Sequence, residues 1–303
     1  MTHELTRRNF GLLSLAAVTV ILPKISLAQT IGYSNLALLE EPSSLIGAVS
    51  PMAGSGQSAQ IEGMLLVDVR PREEFDAGHV PGAVHLDPNA VVARQSPIDG
   101  TLMGIADLEA LLGDIGVAAN RRIVVYDDRG GFHAARMLWL MEYLGHRNVA
   151  VLNGGWSGWQ EADGPVATYG DPVIPAVFQS ALSPRRHATA ADVLAHRERP
   201  DAVLIDVRPT HMYDEGHVPW AVNVPWAQNL GEDGRFRPAD HLLAHFEQHG
   251  VTPEHDVIMH CQFGLASSHS YVALRLLGFP RVRVYHRSWA EWGSDPELPK
   301  VTS

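Results

Sequence analysis

The sequence predicts an α/β protein of two similar domains, each a parallel sheet with helices on both faces. Two observations carry that expectation: a long internal repeat, and short β-branched runs that alternate with helix-like segments inside each copy. Asp68-Val69-Arg70-Pro71 with Glu74-Phe75-Asp76-Ala77-Gly78-His79-Val80-Pro81 recurs as Asp206-Val207-Arg208-Pro209 with Met212-Tyr213-Asp214-Glu215-Gly216-His217-Val218-Pro219. Farther on, Ile123 to Asp127 parallels Asp256 to His260, Leu144-Gly145 parallels Leu277-Gly278, and Trp156 and Trp159 parallel Trp289 and Trp292. The offset is 138 residues early and 133 later, so the two copies differ in the length of a connection. Two long copies make a duplicated domain rather than a solenoid.

Taken in order, the chain opens on Thr6-Arg7-Arg8-Asn9-Phe10-Gly11-Leu12, which looks like a twin-arginine export consensus. An apolar stretch to Leu22 follows, then Lys24 and Ser26-Leu27-Ala28, with small residues at the −3 and −1 positions of a cut after Ala28. That stretch is short for a membrane span and carries signal-peptide flanks. Residues 1–28 are therefore read as a signal peptide and the protein as periplasmic, exported folded, with no stable membrane association after cleavage. The first domain is placed at 36–165. Prolines 172, 175 and 184 mark a linker over 166–184, and the second domain takes 185–303. Within it, Ala202–Val207 and Val257–Met259 read as strands buried on both faces. His241–Phe246, entered through Pro238, has helical spacing. Tyr271, Leu274 and Leu277 form one helical face that Gly278 ends, and Val282 and Val284 alternate as a last strand.

Composition narrows the function classes. At 46% hydrophobic and 19% charged residues the chain is globular rather than disordered. Its formal charge is −11, and an acidic surface argues against nucleic acid and anionic membrane as partners. Sixteen histidines without metal-ligand spacing indicate no metal site, and no cofactor is expected. Cys261 is the one cysteine, so an intramolecular disulfide or a Cys-rich metal site is excluded.

Cys261 ends an apolar run and precedes Gln262-Phe263-Gly264-Leu265-Ala266-Ser267, a short glycine-containing loop ahead of a helix. A thiol there faces a ring of backbone N–H groups and a helix N-terminus, an arrangement that holds anions. The D-V-R and G-H-V-P words, the strand-ending cysteine loop and the terminal Trp pairs together resemble the rhodanese family of sulfurtransferases, over about residues 60–295. The resemblance implies an inactive first domain and a catalytic second one. Counting back from the two Leu-Gly pairs sets Asp128 opposite Cys261. It further implies that the Cys261 thiolate takes a sulfane sulfur from a small anionic donor, thiosulfate or 3-mercaptopyruvate, as a persulfide. A thiol, cyanide or a protein then accepts it.

The loop residues Gln262, Phe263, Gly264, Leu265, Ala266 and Ser267 are the expected substrate contacts, with Arg208 as a further one. Thiosulfate-type members carry cations in the two positions after the cysteine, where this chain has Gln262 and Phe263. The hydroxyl residue usual five positions after the cysteine is Ala266, with Ser267 next, and an arginine common before the second-domain aromatic is Met212. His260 is a candidate base, although strand neighbours point to opposite faces. His79 and His217, present in both copies, read as structural. Two other functions are weighed: a non-catalytic sulfur carrier, and a phosphatase with a His-Cys-x5-Arg loop. The second lacks its anchor, since the sixth residue after Cys261 is Ser267.

Overall fold

The computed structural model describes residues 32–49, 61–128 and 130–302. Residues 1–28, read above as a signal peptide, lie outside the described residues. The first domain runs β1 (Leu39–Glu40), α1 (Pro42–Ile46), β2 (Met64–Asp68), α2 (Arg72–Ala77), β3 (Val84–His85), α3 (Ile105–Asp114), β4 (Arg122–Tyr126), α4 (Phe132–Tyr143), β5 (Val149–Leu152) and α5 (Gly155–Glu161). Its five strands are all parallel, in the order β1-β5-β4-β2-β3.

The second domain runs α6 (Ala190–His196), β6 (Ala202–Asp206), α7 (Thr210–Glu215), β7 (Gly216–His217), β8 (Ala221–Asn223), α8 (Ala239–Gln248), β9 (Asp256–His260), α9 (Leu265–Leu276), β10 (Val282–Val284), α10 (Ser288–Trp292) and β11 (Val301–Thr302). Its parallel sheet has the order β10-β9-β6-β8, and β11 pairs antiparallel with β7. The expected α/β fold of two parallel sheets flanked by helices is observed. The helix that carries Tyr271 and Leu274 begins at Leu265, because Gly264 at φ +89° turns the chain directly into it.

Strand alternation sorts the side chains into layers. Leu65, Val67, Ile123 and Val125 of the first sheet, and Ile205, Val257 and Met259 of the second, face one continuous core that spans both domains. Leu66, Val124 and Tyr126 fall in a separate cluster behind the first sheet, and Leu204 and Ile258 behind the second. Helices α4 and α9 lie against each other at the centre of the shared core. Residues Ala266 to Leu274 of α9 are all buried, because it has its own sheet on one side and α4 on the other. Small Ser267, Ser268 and Ser270 permit that close approach. Each fully buried Leu, Val or Phe contributes about 1.5–3 kcal/mol, so the seam joins the two domains apolar face to apolar face.

Polar contacts fix the register across the seam. The Tyr271 hydroxyl donates to the Glu142 carboxylate, and Arg275 pairs with the same group at 3.0 Å. Burial and the Glu142 charge both push the Tyr271 phenol well above its ordinary range, so it stays a donor. The segment 166–184 runs along the first domain: the Ala176 N–H donates to the Gly113 carbonyl, and Ser180 donates to Glu109.

Candidate active site

Cys261 follows the last residue of β9 and is 3% exposed. Counting by alternation places its side chain on the face that meets α4 and α9, while His260 turns to the opposite face. The loop then closes over the sulfur. The Gly264 N–H donates to Sγ at 3.1 Å, and the Ser267 hydroxyl reaches Sγ at 3.6 Å. Ser267 is fully buried on the first turn of α9, where the helix N-terminus adds positive potential.

Behind the sulfur, the backbone of Cys261 is pinned on both sides. Its N–H donates to the Ser288 hydroxyl at 3.0 Å, and its carbonyl accepts from Trp289 N–H at 3.0 Å. Ser288 donates onward to the Tyr285 carbonyl and holds a left-handed φ of 53°. At the matching point of the first domain stands Gly155, φ 55°, where an added Cβ would strike the Asp127 carbonyl. A non-glycine residue in this conformation is strained, and here its hydroxyl anchors the Cys261 backbone.

The first domain shows the same cradle filled. Strand register sets Asp68 beside Tyr126 and Asp206 beside His260, so Cys261 corresponds to Asp127. This corrects the expectation of Asp128. The loop from Asp127 to Gly131 is one residue longer than that from Cys261 to Gly264, and counting back from the helix end crosses the insertion. Two contacts confirm the match: Trp156 N–H bonds the Asp127 carbonyl as Trp289 does that of Cys261, and Gly131 N–H donates to Asp127 Oδ1 at 2.9 Å as Gly264 does to Sγ. His133 N–H and Ala134 N–H also donate to Asp127 Oδ2, at 2.6 and 3.0 Å. The cradle in this chain thus binds an anion with three backbone donors. Their counterparts around Cys261 are the N–H groups of Gly264, Ala266 and Ser267.

The other expected contacts sort as follows. Phe263 is exposed at the rim, packed on Gly100 of the first domain, while Gln262 and Leu265 are half-buried. Gln262 holds the loop through its carbonyl, which accepts from Ala290 N–H. Ala266 is buried, and the hydroxyl near the sulfur comes from its neighbour Ser267. Arg208, the further expected contact, is 3% exposed, with Nε and Nη2 on Asp206 and Nη2 also on the Gly216 carbonyl at 2.7 Å. Arg70 makes the same bonds to Asp68 and Gly78 in the copy without a cysteine, so in both domains this pair ties a corner of the fold. His260 has its ring against Asp206 at 3.6 Å, and burial lowers its pKa, which suits packing rather than proton transfer at the thiol. His79 stacks on Phe75 and His217 on Tyr213, each bonded to that residue's carbonyl. Among the described residues no group of three or more His, Cys, Asp or Glu is set to hold a metal.

One residue beside the loop was not signalled by the sequence. Arg136 of α4, on the first domain, is 3% exposed and donates from Nη1 to the Phe263 carbonyl and from Nη2 to the Gly100 carbonyl, each at 2.9 Å. It packs against Gly264, where an added Cβ would lie 2.6 Å from Nη1. Nothing in its surroundings, Phe132-His133-Ala134-Ala135-Arg136, marks it as more than a helix residue.

A duplicated α/β protein with a single thiol held in an amide-lined loop at the domain seam is the class that fold and site define. The model of the rhodanese-like domain matches residues 55–162 and 189–295, and the chain belongs to the rhodanese family. It is 34% identical over 279 residues to thiosulfate sulfurtransferase of Pseudomonas aeruginosa, covering 88% of this chain and 98% of that protein. It is 32% identical over 246 residues to the sulfur carrier protein TtuD of Thermus thermophilus, covering 74% of this chain and 86% of that one. The crystal structure of the 3-mercaptopyruvate sulfotransferase SseA from Escherichia coli superposes with a TM-score of 0.74 at 26% identity, covering 83% of this chain and 98% of that one.

Proposed function

We propose that the protein is a sulfurtransferase that carries a sulfane sulfur on Cys261. The observation that carries this reading is the anion cradle around the thiol, filled in the other domain by the carboxylate of Asp127. Each state of such a reaction puts negative charge at the same point: thiolate, donor and persulfide. Preorganised N–H donors stabilise all of them without a metal.

In the first step the Cys261 thiolate attacks the outer sulfur of thiosulfate. An Sγ–S bond forms, the bond to the sulfonate sulfur breaks, and sulfite leaves with the electron pair. In the second step a nucleophilic acceptor attacks the terminal sulfur, and the Cys261 thiolate is released. With 3-mercaptopyruvate the leaving group is pyruvate in its enolate form. The names of the Pseudomonas and Escherichia relatives support these two donors.

A second reading, a sulfur carrier that loads but does not turn over small acceptors, is favoured by the name of the Thermus relative and by the exposed apolar Phe263 at the rim. Steady-state thiocyanate formation from thiosulfate and cyanide separates the two. The enzyme reading predicts many turnovers per Cys261, abolished in Cys261→Ser. Loading without turnover would favour the carrier. The periplasmic location rests on residues 1–28 alone. Replacing Arg7-Arg8 by Lys-Lys in the full chain should hold it in the cytoplasm, and unchanged export would overturn that proposal.

A further inference from the structure

Among the described residues, the buried arginines have carboxylate partners, with one exception. Arg70 lies on Asp68 and Arg208 on Asp206, and the half-buried Arg275 lies on Glu142. Arg136 is as buried as the first two, yet no carboxylate among the described residues pairs with it; it donates to two neutral carbonyls. An unpaired buried cation is costly and is retained where an anion comes to meet it. Burial lowers the Arg136 pKa to about 10, so it remains charged at neutral pH. The guanidinium sits against Gly264, whose N–H holds Sγ, and against the carbonyl of Phe263. The two loop positions after the cysteine, Gln262 and Phe263, carry no cation of their own.

We propose that Arg136 supplies the positive charge of the catalytic site from the domain that lacks the cysteine. It is a positioning residue for the anionic sulfur species at Cys261, and it makes the site a product of both domains. The silent domain is thereby retained as the donor of a charge as well as a packing surface. This inference rests on the sulfurtransferase reading, so its test is built to fail separately.

The test compares the rates at which anionic iodoacetate and neutral iodoacetamide alkylate Cys261. The thiolate fraction is common to both, so their ratio reports the local charge. In the wild type the ratio should exceed that of a free thiol such as N-acetylcysteine, despite the acidic surface. Arg136→Gln, which keeps an N–H donor but loses the charge, should lower the ratio about tenfold, and Arg136→Lys should retain it. A merely structural role would change both rates together. A wild-type ratio no higher than that of the free thiol overturns the proposal even if the Gln variant fails to fold, and so does an unchanged ratio in a folded Gln variant. Wild-type protein that gains no sulfur from any donor instead overturns the sulfurtransferase reading.

Discussion

Gly264 and Gly131 occupy the same place in the two domains, and the structure predicts different outcomes when each becomes alanine. Both hold left-handed backbone, φ +89° and +87°, and both donate an N–H to the group in the cradle. A side chain in that conformation costs about 1–2 kcal/mol. At Gly131 the new methyl meets nothing nearer than His269 Cδ2 at 4.0 Å, ordinary contact. At Gly264 it would lie 2.5 Å from the His286 carbonyl oxygen and 2.6 Å from Arg136 Nη1. Overpacking of that kind adds roughly 1–3 kcal/mol and displaces the N–H from Sγ. Gly131→Ala should therefore lose about 1–2 kcal/mol and Gly264→Ala about 2–5 kcal/mol, read from urea unfolding midpoints. Sulfur loading should survive in the first variant and slow at least tenfold in the second. Equal midpoints with equal loading rates would refute the reasoning.

Four further outcomes follow from the site. Ser267→Ala removes the hydroxyl on Sγ and should slow loading about tenfold, for a hydrogen bond worth about 1–1.5 kcal/mol, with stability little changed; a loading time course checks it. Arg208→Ala strands a buried Asp206 and should cost about 3–5 kcal/mol while the folded fraction still loads, whereas a stable variant with weakened donor affinity would mark Arg208 as a substrate contact. Asp127→Ala leaves three N–H groups of the silent cradle without their acceptor and should lower the unfolding midpoint, with loading at Cys261 unaffected. His269 is fully buried and burial lowers its pKa from 6.5 to about 4, so the unfolded chain binds its proton first as pH falls. Its share of stability is complete above pH 6.5 and is lost progressively between 6.5 and 4, up to about 3 kcal/mol. His269→Gln should flatten the stability profile in that window, and an identical profile would contradict the assignment.

Much of this was readable from local pattern. The duplication, the buried strands and the loop from Cys261 to Ser267 all show in short words, because strand burial on both faces and a tight glycine turn leave marks in adjacent residues. The role of Arg208 could be weighed from its repetition in both copies, and Arg70 and Arg208 make the same bonds to Asp68 and Asp206. What escaped is what depends on distance in the chain. Arg136 meets the Cys261 loop only because α4 and α9 pack across the seam. Ser288 reaches the Cys261 N–H through a strained turn that resembles an ordinary helix start in sequence. The choice between Asp127 and Asp128 turned on a single inserted residue, which counting cannot place but hydrogen bonds can.

The central claim is that a sulfane sulfur resides on Cys261. Intact mass of the purified protein after incubation with thiosulfate or 3-mercaptopyruvate tests it most directly. The account predicts a gain of about 32 Da in the wild type with at least one donor, discharged by cyanide and absent in Cys261→Ser. A wild type that gains no mass from either donor, or a Cys261→Ser variant that still gains it, would contradict the account.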